Sequence, residues 1–170
     1  IDQISYDEML EMASLGAGVM HGRAIEFGKK YDVTIHVRSS SEQTEGTLIT
    51  HEVPNMEGIL VSGATVQTDL AKIALVGIEN RPGNAAKIFA KLGAAKVSVN
   101  DIIQTEVDDE LANLSFTVAK ADLADAQKVI KAMKLELKCQ DIFVREDIAE
   151  VSIVGIGMRT HCGVANIMFS

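Results

Sequence analysis

Glu79-Asn80-Arg81-Pro82-Gly83-Asn84 joins an apolar, strand-like run to a helical pattern, and the chemistry such a junction offers is anion binding. The first N–H groups of a helix lack intrahelical partners and carry partial positive charge, so they hold a carboxylate without a dedicated cation. Ser98-Val99-Asn100-Asp101-Ile102 opens the next predicted strand and faces this loop in the expected topology, where Asn100 and Asp101 would receive an ammonium and a polar side chain. Together the two segments suit a free amino acid. Pro82-Gly83 also reads as only a tight turn into a helix, because both residues favour such positions on conformational grounds. Met158-Arg159-Thr160-His161-Cys162-Gly163 allows the same two readings.

Other reactive residue types do not assemble into a centre. His161-Cys162 would need a base facing the thiol, but neighbours at a helix start point apart, and no third group orients them. Cys162 stands where Pro82 stands in an earlier copy of the same pattern, a structural turn position. His21 and Arg23 at a helix start read as anion binders or as solvated surface, and His36 and His51 lack companions at metal-ligand spacing. Asp108-Asp109-Glu110, with Glu106, reads as a solvated hairpin tip. No phosphate-binding or dinucleotide-binding glycine pattern is present, so no metal or cofactor is expected within the chain.

Composition narrows the class. The chain has 170 residues, 16 Lys+Arg against 24 Asp+Glu, a formal charge of -8, and 4% aromatic residues. Nucleic-acid binding is disfavoured, because it needs clustered cations and often stacking rings. No apolar run approaches the roughly 18 residues that span a bilayer, and Ile1-Asp2-Gln3 does not start like a signal peptide. A soluble, cytoplasmic protein is expected, with Cys139 and Cys162 as reduced thiols. The absence of an initiator Met suggests a fragment.

The elements that must position the loop follow from periodicity. Ser5-Tyr6-Asp7-Glu8 forms a capping-box pattern ahead of Met9, Leu10, Met12 and Ala13. Gly16 and Gly18 interrupt that helix, a second runs from His21-Gly22-Arg23 to Gly28, and Val33 to Val37 alternates as a strand with no earlier sheet to join. Residues 39–46 are polar and place a domain boundary there. Leu48-Ile49 and Ile59-Leu60-Val61 read as short strands or connecting segments on either side of Pro54-Asn55. An internal repeat follows: Lys72 to Ile78 aligns with Glu150 to Ile156, Pro82-Gly83-Asn84-Ala85 with Cys162-Gly163-Val164-Ala165, and each copy reaches a phenylalanine, Phe89 or Phe169. Between the copies lie a helix with Ala85, Ile88, Phe89 and Leu92 on one face, strands from Val97 to Gln104 and around Leu114 to Val118, a helix capped by Asp122, and a final strand from Leu135 to Val144. The order is β-α-β-β-α-β, the ferredoxin-like arrangement of an α/β (α+β) fold.

These residues carry a resemblance to the aspartate kinases. Ser5 to Ala17 with His21 and Arg23, followed by Tyr31 to Ser40, resembles the end of that family's kinase domain, and Gly46-Thr47-Leu48-Ile49 resembles its linker. The two repeats resemble its tandem ACT domains through Val76-Gly77-Ile78 with Pro82 to Ala86, and through Val154 to His161 with Gly163 to Ala165. Gly22 and Cys162 stand where many members carry proline, and Gly18 where a larger residue is common.

The resemblance implies 1–38 as the kinase end, 39–70 as linker and connecting strands, 71–146 as a first ACT domain and 147–170 as the start of a second. It implies that the intact protein phosphorylates L-aspartate with ATP and magnesium. The nucleotide-binding Lys-Phe-Gly-Gly segment would lie upstream of Ile1, so this portion alone would be inactive. Its implied task is feedback control by threonine, lysine or both, with effector contacts from Asn80, Arg81, Pro82, Gly83, Asn84, Ala85, Asn100, Asp101, Ile102 and Gln104. Met158, Arg159, Thr160, His161, Cys162, Gly163, Val164 and Ala165 form a possible second effector or interface loop. Implied partners are a second copy, joined through ACT domains, and a kinase domain or full-length kinase subunit. Competing readings are a catalytic subunit, a separately translated regulatory subunit, and an ACT sensor of another pathway.

Overall fold

A computed structural model describes residues 1–51, 61–155 and 163–170, and the chain divides into two compact units. The first comprises residues 1–67 and 151–170, the second residues 68–150.

In the first unit, β1 (Gln3–Ser5) leads directly into α1 (Tyr6–Ser14). The capping box is formed as its pattern predicts: the Ser5 hydroxyl accepts from the Glu8 N–H, and the Glu8 carboxylate accepts from the Ser5 N–H. Next come α2 (Gly22–Tyr31), β2 (Ile35–Val37) and β3 (Thr47–Thr50). The strands form a sheet in the order β1-β3-β2, with Ile4 opposite Ile49 in the parallel pair and Ile35 opposite Ile49 in the antiparallel pair. This corrects one expectation and decides between the two readings of another. The strand ending at Val37 does have a sheet to join, and Leu48-Ile49 is its central strand, because Ile49 is fully buried with Ile4, Tyr6 and Ile25 in one core. Ile59-Leu60 lies outside the described residues, and Val61 is in no strand.

The second unit takes most of β4 (Gly63–Glu79), then α3 (Asn84–Ala94), β5 (Val99–Glu106), β6 (Leu111–Ala119), a short 3-10 turn, α4 (Leu123–Met133) and most of β7 (Asp141–Val154). Its sheet order is β5-β6-β4-β7, the ferredoxin-like arrangement expected from the element order. Strand β6 alternates as predicted, with Ala112, Leu114, Phe116 and Val118 buried. Ile88 and Leu92 of α3, Ala126 and Ile130 of α4, and Ile73 and Leu75 of β4 join that face in one core. Phe89 meets Phe116 edge to face at 5.8 Å, a favoured arrangement for ring quadrupoles.

Three local expectations change. The last strand begins at Asp141 instead of Leu135, because residues 134–138 form turns in which Leu135 is exposed and Lys138 has φ 50°. The Asp122 side chain does not cap α4, since the 3-10 turn Lys120–Asp122 feeds straight into it. The strand expected at Glu150 is no separate element; it continues β7 without a break through Val154.

Candidate functional site

The geometry of the site begins two residues before the loop. Gly77 has φ +63° at an irregularity in the β4–β6 pairing between Leu75 and Ile78, and its N–H donates to Asn113 Oδ1 at 3.0 Å. A Cβ at this position would lie 2.4 Å from the Gln140 Cδ, so the positive φ selects glycine and any other residue would also have to displace the Gln140 side chain. The neighbouring Val76 carbonyl accepts from the Gln140 N–H at 3.0 Å and from Cys139 Sγ at 3.6 Å. Burial is the chief cause that pushes the Cys139 thiol up, which fits a structural thiol.

Beyond Ile78 the chain is held by its own polar groups. Asn80 N–H donates to the Glu110 carbonyl at 2.7 Å, and the Glu79 carbonyl accepts from Arg81 N–H at 2.9 Å and from Asn84 Nδ2 at 2.9 Å. Gly83 has φ +94°, and a Cβ there would meet nothing within 4 Å, so the left-handed turn alone selects glycine. No side chain caps α3 at Gly83, which leaves the first turn of the helix to other acceptors. The loop and this helix start line a cavity of about 210 Å³ together with Ile78, Glu79 and Gln104. That is smaller than the roughly 300 Å³ at which pockets for drug-sized molecules begin, and suits a molecule of few heavy atoms.

Most predicted contacts therefore meet. Asn80, Arg81, Pro82, Gly83, Asn84, Ala85 and Gln104 surround one space. Asn100, Asp101 and Ile102 are exposed on β5, with Asp101 at a pairing irregularity between Asn100 and Ile102, and none of the three lines this cavity. In the second loop, Met158, Arg159, Thr160, His161 and Cys162 lie outside the described residues. Gly163 has φ +101° and precedes α5 (Val164–Met168), which includes Val164 and Ala165. The positive φ of Gly83 ahead of a helix is thus repeated at Gly163.

A charge cluster adjoins the loop that the sequence reading did not identify. Glu79 Oε1 is 2.8 Å from Lys138 Nζ and 3.0 Å from an Arg81 guanidinium nitrogen. The Lys138 hydrogen bond is the chief cause holding the Glu79 carboxyl below its usual range; partial burial opposes it, and Arg81 reinforces it. Glu79, Asn80 and Arg81 line a second cavity of about 420 Å³ with Lys138, Leu111, Asp109 and Glu110. Lys138 is 59 residues from Glu79 and carries no local signal, whereas the bulge in β4 does have one, a glycine inside an apolar run.

The remaining candidates have local partners. His21 Nδ1 accepts from Arg23 N–H at the start of α2, and His36 Nε2 lies 2.6 Å from the Glu45 carbonyl. Asp108 Oδ1 accepts from the Glu110 and Leu111 N–H groups, closing the hairpin turn. Among the described residues no cluster of His, Cys, Asp and Glu could hold a metal ion, and no helix is long and apolar enough to cross a membrane.

Residues 72–134 match the ACT domain family. The chain is 34% identical to the ligand-free regulatory subunit of aspartate kinase from Thermus thermophilus, with TM-score 0.60, covering 65% of this chain and 73% of that one. The chain belongs to the aspartokinase family. An aspartokinase from Bacillus sp. (strain MGA3) is 42% identical over 98% of the chain. Clostridium acetobutylicum aspartate kinase, solved by crystallography, superimposes with TM-score 0.83 at 27% identity, covering 99% of this chain and 39% of that one. The chain spans about 40% of the length of the curated aspartokinases it matches. It represents the regulatory ACT region of the family, and the site described above lies at the strand-to-helix turn of that ACT domain.

Proposed function

We propose that this region binds a free amino acid, threonine or lysine, at the Asn80–Ala85 loop, and that binding restrains the ATP-dependent phosphorylation of L-aspartate by the intact cytoplasmic kinase. The observation that carries this reading is the small cavity in which a helix start without a side-chain cap, Arg81 and Gln104 converge. A carboxylate is satisfied by the helix N–H groups, while the Asn84 and Gln104 amides offer neutral acceptors to an ammonium. Control requires that the effector bind one state of the kinase better than another, with coupling typically about 1–3 kcal/mol. In this proposal residues 1–38 end a kinase domain, 39–70 connect, 71–146 are the first ACT domain and 147–170 begin a second.

Asn100, Asp101 and Ile102 enter the proposal differently from the loop. Strand β5 is at one edge of the sheet, and a second copy paired along it would bring these exposed side chains to an interchain boundary. The extent of the match to the Thermus regulatory subunit favours a further reading, that this region acts as a separate subunit beside a full-length kinase. Co-purification of a longer kinase chain distinguishes that arrangement.

Isothermal calorimetry with threonine, lysine, methionine and aspartate, with oligomeric state recorded by light scattering, tests the reading. Saturable heat with threonine or lysine is expected, together with no aspartate-dependent ADP release by this region alone. Asn84→Trp should weaken binding at least tenfold while the circular dichroism spectrum is retained. Unaltered affinity in that variant would place the effector elsewhere.

A further inference from the structure

Among the described residues Arg81 is the one cation that borders both cavities, and its guanidinium is committed to Glu79, whose same oxygen also takes Lys138. Two cations on one carboxylate oxygen share it, so each weakens the hold on the other. Lys138 comes from the turn between α4 and β7, far from the loop in sequence, and it touches the 420 Å³ cavity but not the smaller one. Arg81 and Lys138 are both 68% exposed as side chains, while Glu79 is 22% exposed. The carboxylate is thus the fixed member and the cations the exchangeable ones.

We infer that Lys138 is a positioning residue for effector binding: by neutralising Glu79 it releases Arg81 to meet the ligand carboxylate. This rests on the amino-acid reading of the loop. With Lys138 in place, Arg81 can leave Glu79 without stranding a half-buried carboxylate. Without Lys138, Arg81 becomes the counter-ion of Glu79, and a ligand must compete for it. The backbone bonds at Glu79, from Arg81 N–H and Asn84 Nδ2 to its carbonyl, do not depend on the side-chain charge, so the loop keeps its shape when that charge is removed.

The competition predicts signs that a simple structural clamp does not. Lys138→Met should weaken threonine or lysine binding about two- to five-fold, the range of an exposed ion-pair interaction. Glu79→Gln should bind at least as tightly as the unaltered chain, and the double variant should recover what Lys138→Met loses. If Lys138 merely holds the loop, the single variants both weaken binding and the double variant recovers nothing; that result overturns the inference. A ligand-free readout separates this idea from the effector reading. Modification of Arg81 by phenylglyoxal, followed by mass spectrometry, should be slower in Lys138→Met and faster in Glu79→Gln. Equal rates overturn the competition. Ordered rates in a chain that takes up no amino acid uphold the competition and overturn the effector reading instead.

Discussion

Glu8 and Glu79 each tie together segments far apart in sequence, yet they do so in opposite surroundings. Glu8 is 4% exposed in the core of the first unit, and its donors include the Ser5 N–H at 3.3 Å, the Ser5 hydroxyl at 2.8 Å and the Ser62 hydroxyl. Glu79 is half-buried at the rim of two cavities and is held by two exposed cations. A buried carboxylate must be satisfied by fixed donors, because desolvation makes any unmet group expensive. A carboxylate at a wet rim exchanges partners cheaply, since water replaces whatever leaves. The first arrangement serves architecture and the second is suited to ligand exchange.

The sharpest way to break this comparison is to remove Glu8. Glu8→Ala strands the buried donors of Ser5 and the half-buried Ser62 hydroxyl and should cost about 2–3 kcal/mol of stability, read as a lowered urea midpoint. Glu79→Gln should leave the midpoint nearly unmoved. Similar losses in both variants would show that exposure does not separate the two roles.

Gly77→Ala comes next, because it disturbs the approach to the loop and not its charges. A positive φ in an alanine and the clash with Gln140 should together cost about 1–3 kcal/mol. Gln140 can swing aside, so adding Gln140→Ala should restore only the steric part. Complete restoration in the double variant would mean that the backbone at residue 77 is not strained, and that the bulge is set by Gln140 alone.

What was legible in the sequence follows the range of each interaction. The capping box at Ser5 and Glu8, the alternation through Leu114, Phe116 and Val118, and the glycine turns at Gly83 and Gly163 are local patterns, and they appear where their spacing placed them. The Asn80–Ala85 loop was readable for the same reason, since a strand, a Pro-Gly turn and a helix start are adjacent. The role of Leu48-Ile49 as a central strand was not readable, because it depends on pairing with Gln3–Ser5 more than forty residues earlier. Lys138 was hidden for the same reason, and the strand expected from Leu135 failed because an apolar residue in a turn has the same letter as one in a strand. Asn100, Asp101 and Ile102 were assigned from the resemblance and from topology, which order strands but do not fix how far a side chain reaches.

The smallest expected effect is a pH dependence that separates charge from packing at the rim. Glu79 has its carboxyl held low chiefly by the Lys138 hydrogen bond, and Glu136 has its own held low chiefly by that of Lys91, 2.7 Å away. A carboxylate whose folded pKa lies below its unfolded value of about 4.3 contributes stability fully above that value. The contribution disappears as pH falls through the lowered folded value, because the protonated group no longer attracts the lysine. Urea midpoints measured from pH 6 to pH 3 should therefore fall with acid, and the fall should be shallower in a Glu79→Gln, Glu136→Gln double variant. Glu8 is untouched in that variant, so an identical slope would assign the acid loss to groups other than Glu79 and Glu136 and remove the electrostatic half of the contrast between Glu8 and Glu79.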